Sequence, residues 1–295
     1  MLRRPWSARR LRAETAALLR GAAGLLRGRD VALIAAGLTF YAGIAVVPLF
    51  LVAFSLTALL TSPGQVRALG DRLAALLPPE LGAPEALQAL VGAGTRLDLL
   101  DFVLALIPLS FYGEGLRRAL LRFTPQRDRL TGWRGRLLAL PLVLATPLLL
   151  YPLLLAASAM VELSEQGSAL GSVAVGYYSV LFALTVPLFW GFGVVAAGRL
   201  RWAALVSGVL FTAACLSGFL QGFVIFLALP LALGAPFGGL TAVGAVVAIN
   251  LWLFLLHLVV IAGWLLTQSL DDRLRRGAQS GRPPESGRPP ESGRP

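Results

Sequence analysis

Residues 35–50 read "AAGLTFYAGIAVVPLF" and sit inside a run of 36 residues, between Asp30 and Arg67, that carries no formal charge. A helix needs only about 20 predominantly apolar residues to cross the hydrocarbon core of a bilayer. The stretch therefore reads as a spanning helix, yet it holds Gly37, Thr39, Tyr41 and Pro48. Gly37, Tyr41, Pro48 and Ser55 are spaced by 4, 7 and 7, which places them on one helical stripe. In lipid no hydrophobic force draws helices together, and small residues let backbones approach closely. Pro48 cannot donate to the carbonyl of Ile44 and is expected to kink the span. Two roles fit such a stripe: tight packing on a neighbouring helix, or the wall of a cavity lined by the Tyr41 hydroxyl and the freed carbonyl.

The rest of the chain extends this reading. Its 295 residues are 57% hydrophobic and 14% charged, against roughly 45–50% and about 25% for an ordinary soluble domain. Length alone would allow two soluble domains, but a second charge-free run of 69 residues lies between Arg201 and Asp271. Hydropathy places spans at about 31–60, 137–161, 172–198, 202–227 and 239–267. A sixth, at about 99–118, is weaker, because its apolar heart "FVLALIPLSFYG" (102–113) has 12 residues and must take in Asp101 or Glu114 to complete a crossing.

The arginines decide that case. All 26 basic residues are arginine. With six crossings and a cytoplasmic N-terminus, 23 of them fall on the inner side, and only Arg67, Arg72 and Arg96 fall outside, among Asp71, Glu80, Glu85, Asp98, Asp101, Glu162 and Glu165. This is the partition that the positive-inside rule demands. If 102–113 did not cross, the seven arginines of segment 117–136 would lie outside. The expected fold is an all-α integral membrane protein with six transmembrane helices and both termini in the cytoplasm. Trp133 and Trp202 then lie at inner boundaries, and Tyr177 and Tyr178 near an outer one. The first apolar run is too long for the core of a secretory signal, so it reads as an uncleaved span.

Three regions follow. In the arm, 1–29, Leu11, Leu18, Ala22 and Leu25 recur at helical spacing among arginines, as suits an amphipathic helix lying on an anionic inner leaflet. The membrane domain covers 30–270; its first outer loop places Val66, Leu69, Leu73 and Leu76 before "PPE" and Leu87, Leu90 and Val91 after it, the pattern of two short amphipathic helices. The remainder, 271–295, repeats "SGRPPE" from Ser280 and reads as a disordered cytoplasmic tail.

Polar residues within spans are the candidate functional groups. Asn250, His257 and Trp264 stand seven apart and share a face of the last span. Glu114 lies between Gly113 and Gly115. A mid-membrane carboxylate costs about 2.5–3.5 kcal/mol, more than several leucines recover at about 0.3–0.6 each. It is therefore placed near the inner interface, paired with Arg117 or Arg118, with Arg199 and Arg201 as further cations there. Catalysis is poorly served: the chain has one histidine, no metal-ligand spacing and no glycine-rich phosphate loop. The expectation is a non-enzyme with no cofactor and no metal. The single Cys215 excludes an intrachain disulfide and reads as a small packing residue. The net charge of +11 is a topology signal rather than a nucleic-acid footprint. The partners implied are the lipid bilayer and its anionic headgroups, with a homo-oligomer left open.

These motifs also carry a resemblance. "AAGLTFYAGIAVVPLFLVAFSL" resembles the first-span signature of the YihY/BrkB family of bacterial inner-membrane proteins, Ala-Ala-x-Leu-Ala-Phe-Tyr followed by Ser-Leu-x-Pro-Leu, which Phe40, Tyr41, Pro48 and Leu49 match. "GGLTAVGAVVAINLWLFLLHLVVIAGWLL" is similar to that family's last span at Leu251, Trp252 and Gly263, and "LRRALLRF" sits where the family has its arginine-bearing segment. Ala45 replaces a family serine, Phe254 a tyrosine, and Trp264 with Leu265 an Ala-Glu pair. The resemblance implies six spans, the bacterial inner membrane and a link to virulence and envelope integrity. It also implies an old ribonuclease label, for which this chain supplies no chemistry. The reading drawn is transport or translocation of an envelope lipid or other amphiphile. Its rival is a non-transporting scaffold or envelope assembly factor, and an integral-membrane enzyme comes third.

Overall fold

The computed structural model describes residues 8–26, 28–77, 79, 82–124, 137–138, 140–196, 200–229 and 231–280. The described residues are helical, with no strand among them. Among the described residues nine α-helices follow in order: α1 (Ala8–Leu26), α2 (Val31–Leu60), α3 (Pro63–Ala74), α4 (Ala83–Gly94), α5 (Leu99–Leu121), α6 (Leu140–Glu165), α7 (Ala169–Trp190), α8 (Trp202–Leu227) and α9 (Thr241–Ser280). A π-helical turn, Gly191–Val195, prolongs α7. Six of these are long and apolar enough to cross a membrane: α2, α5, α6, α7 with its π turn, α8 and α9.

Local chemistry sets the helix ends. Asp30 accepts the Leu33 N–H at 3.0 Å to start α2, Ser62 the Gln65 N–H at 3.1 Å to start α3, and Asp98 the Asp101 N–H at 2.7 Å to start α5; each satisfies a donor that the first turn leaves unpaired. Pro48 lies inside α2, which runs unbroken from Val31 to Leu60. The weakest of the six in sequence, α5, continues to Leu121 and takes in Asp101, Glu114, Arg117 and Arg118.

Five of the long helices contact one another in a cycle: α2 against α6, α6 against α7, α7 against α8, α8 against α9, and α9 back against α2. The remaining one, α5, packs along α2. Between α8 and α9 the contact is intimate because Gly208 faces Thr267 and Gly263 faces Thr212, each glycine leaving no room for a side chain. Near the ends that hold Arg29, Arg117, Arg201 and Arg273, one core joins Ala35 and Leu38 of α2, Leu120 of α5, Phe192, Val209 of α8, and Ile261 and Trp264 of α9. At the opposite end α3 and α4 cover the bundle, with Val66, Leu69 and Val91 packed on Phe54 and Leu154.

Two expectations change. The region from 271 was read as disordered, but α9 continues through it to Ser280. Asp271 explains the continuation: buried, it accepts the Arg201 N–H at 2.8 Å and the Arg275 Nε–H at 2.6 Å, tying the start of α8 to the last turns of α9. Residues 281–295, with most of the "SGRPPE" repeat, lie outside the described residues, as do 1–7. Cys215, read as a packing residue, is exposed on the side of α8. The arm helix α1 docks on α9: the Ser269 hydroxyl donates to the Leu18 carbonyl at 3.1 Å, and Arg273 pairs with Glu14 at 3.0 Å.

Candidate functional site

The first-span stripe divides when it folds. Gly37 has no atom within 4 Å of the place a Cβ would occupy, so it serves no close helix contact. It instead lines a cleft of about 420 Å³ between α2 and α5, together with Leu33, Tyr41, Phe111, Glu114 and Arg118, among others. Arg122, just past the end of α5, borders the same cleft. The Tyr41 ring lies against Gly115, where a Cβ would stand 2.8 Å from Tyr41 Cδ2. Pro48 and Ser55 are half-buried and lie farther along α2, away from this cleft.

Glu114 pairs with both neighbours rather than with one. Arg117, 2% exposed, donates from Nε to Oε2 at 2.8 Å and from Nη2 to Oε1 at 2.9 Å, the bidentate geometry of a strong charge-assisted pair. Arg118 donates from Nε to Oε1 at 2.7 Å and otherwise reaches outward, its side chain 67% exposed. Spacings of three and four residues bring all three onto one face of α5.

A second polar group sits beside the cleft, where α2, α5 and α9 meet. The His257 Nδ1 lies 2.6 Å from the Leu253 carbonyl, which can only accept, so Nδ1 carries the proton. Nε2 is then the acceptor, 3.3 Å from the Tyr112 hydroxyl. Thr39 donates to the Ala35 carbonyl at 2.8 Å and presents its oxygen 3.4 Å from Nδ1. Sequence reasoning singled out neither Tyr112 nor Thr39 as a functional group. The only signal was positional: Tyr112 lies two residues before Glu114 and Thr39 two before Tyr41.

The other candidates serve the framework. The Asn250 amide donates to the Val246 carbonyl of its own helix at 2.8 Å, with its oxygen facing Gly43. Trp264 is fully buried against Phe192 and donates to the Leu120 carbonyl at 3.1 Å. Arg201 reaches the Leu274 carbonyl at 2.7 Å, away from the cleft. Arg199 and Trp133 lie outside the described residues. Among the described residues, no three His, Cys, Asp or Glu side chains come together as a metal site would require. A second, apolar cavity of about 320 Å³ lies between the end of α3 and helices α6, α7 and α8, and reaches neither polar group.

A six-helix apolar bundle with an arginine-bordered lateral cleft is thus the architecture to compare with known proteins. The family model described as "Virulence factor BrkB" matches residues 23–288. The chain belongs to this family. The match runs from the end of α1 past the end of α9, so it takes in the BrkB membrane helices entire, and with them the cleft and the His257 group. No curated protein and no solved structure matches the chain.

Proposed function

We propose that this BrkB-family membrane protein transports or translocates an envelope lipid or other amphiphile across the bacterial inner membrane. One observation carries the reading: the cleft between α2 and α5 combines apolar walls at Leu33, Gly37 and Phe111 with the charged groups Glu114, Arg118 and Arg122. Leu33 is 68% exposed, so the cleft is open sideways, toward the acyl chains of a surrounding bilayer. An amphiphile needs that pairing, a greasy wall beside a polar end. The arginine-bearing ends of the helices face the cytoplasm in this reading, where they meet anionic headgroups. The arm α1 lies along that leaflet, and a second copy of the chain is an admissible partner. A ribonuclease role is poorly served, because Nε2 of His257, the lone-pair nitrogen of the chain's one histidine, already faces the Tyr112 hydroxyl at 3.3 Å.

A scaffold or assembly role is the second reading, and a specific arrangement favours it. The last-span stripe does not reach the cleft: Asn250 bonds its own helix and Trp264 fills the core. The two readings separate in vesicles holding the purified full chain and labelled lipids. Transport predicts protein-dependent movement of at least one lipid between leaflets, slowed by Gly37→Leu. Unchanged leaflet distribution over a broad lipid panel would leave the scaffold.

A further inference from the structure

We infer that the α2–α5 cleft is a binding site for a lipid ending in a phosphomonoester, with the phosphate held between Arg118 and Arg122 and the acyl chain along Gly37 and Tyr41. The inference deepens the function proposed above and rests on the same cleft.

Charge selects the headgroup. Glu114 borders the cleft, but both its oxygens are already engaged: Oε2 takes one bond from Arg117, and Oε1 takes one each from Arg117 and Arg118. The cleft lining sets the two guanidiniums of Arg118 and Arg122 against this one carboxylate, whose oxygens are already taken up. Arg118 and Arg122 stand four residues apart and so share a helix face, about 6 Å apart along the axis. A phosphomonoester carries about −1.5 to −2 charges at neutral pH and three acceptor oxygens. It can therefore satisfy two forked donors at once. A phosphodiester brings one charge, and a zwitterionic headgroup adds an ammonium facing the arginines.

Placement selects a lipid over a soluble phosphate. The cleft volume of about 420 Å³ falls in the usual range for ligand sites, roughly 300–1,000 Å³. Its wall is mostly apolar, and Tyr41 and Phe111 at its edge are more than one-third exposed. Arginines at a helix C-terminus also complement the helix dipole. That effect alone would not require the uncovered wall beside them, nor a glycine with open space over it.

The test uses the full chain in lipid nanodiscs of phosphatidylethanolamine doped with phosphatidic acid or phosphatidylglycerol, with bound lipid counted by native mass spectrometry. Retention of phosphatidic acid over phosphatidylglycerol should be at least about tenfold, and Arg122→Gln and Arg118→Gln should each reduce it several-fold. Arg122→Lys should retain part of it, and Arg72→Gln, at the opposite end, should change nothing. Gly37→Leu should reduce retention of all lipids together, and because it meets open space it leaves the fold intact. Excess inorganic phosphate should fail to displace the lipid; displacement would assign the site to free phosphate and overturn the lipid claim. Equal retention of both lipids, or indifference to both arginine variants, would also overturn the inference. Selective retention without movement between leaflets sinks transport and leaves this site standing. Movement without headgroup preference does the reverse.

Discussion

Tyr112 and His257 are separated by 145 positions, and the Tyr112 hydroxyl lies 3.3 Å from His257 Nε2, joining α5 to α9. The rings meet edge to face with centroids 5.8 Å apart. Because α5 packs mainly along α2, this bond and the one from Trp264 to the Leu120 carbonyl hold it to the last helix. Tyr112→Phe should leave Nε2 without its donor in a dry setting and lower stability by about 1–3 kcal/mol. Thermal unfolding in detergent measures the loss. In a double-mutant cycle with His257→Ala, the second change should cost less once the first is made. Strictly additive losses would show that the two side chains do not interact.

The Glu114 pairs predict an asymmetry. Glu114→Gln takes the bidentate carboxylate away from Arg117, whose charge is 2% exposed, and should cost about 3–5 kcal/mol. Arg118→Gln removes a partner whose side chain is 67% exposed and should cost under about 1 kcal/mol. Adding Arg117→Met to Glu114→Gln should restore most of the lost stability, since an apolar side chain needs no counterion there. Equal losses for Glu114→Gln and Arg118→Gln would contradict the buried position of Arg117.

Glycines of the same type should respond differently. Gly208→Val drives a side chain into Thr267 and should separate α8 from α9, with a loss of about 1–3 kcal/mol or failure to accumulate. Gly37→Leu meets open space and replaces a poor helix former, so thermal stability should hold or rise by up to about 1 kcal/mol. Melting curves of the two variants side by side decide the matter.

Topology can be read with single cysteines placed in a Cys215→Ala background. Gly64→Cys, near the start of α3, should react in intact cells with a maleimide that cannot cross the membrane. Gly277→Cys, in the last turns of α9, should react only after the cells are opened. Labelling of Gly277→Cys from outside would invert the arrangement and remove the cytoplasmic setting proposed for Arg118 and Arg122.

Much of the fold was legible because it rests on local chemistry. Charge-free runs longer than a bilayer is thick must become helices, since lipid offers no partner for a bare N–H or C=O. The bounds read for the first and fourth of the firm spans, 31–60 and 202–227, coincide with α2 and α8. The weakest apolar run, 102–113, reads as part of a sixth span from the placing of arginine, and it lies in α5, which is long and apolar enough to cross a membrane. The extension of α9 was hidden because it depends on Asp271 meeting Arg201, 70 positions away.

Residue order by itself thus determined an all-helical bundle of six membrane-length helices and its family, because backbone bonding in lipid and the placing of charge are settled segment by segment. Which face of each helix turns inward was decided only by tertiary packing. A helix apolar on every side carries no periodic signal of its neighbour, so nothing local distinguishes Gly37, open to a cleft, from Gly208, closed on Thr267. The meeting of Thr39, Tyr112 and His257, drawn from three helices, likewise exists only once those helices have chosen their partners.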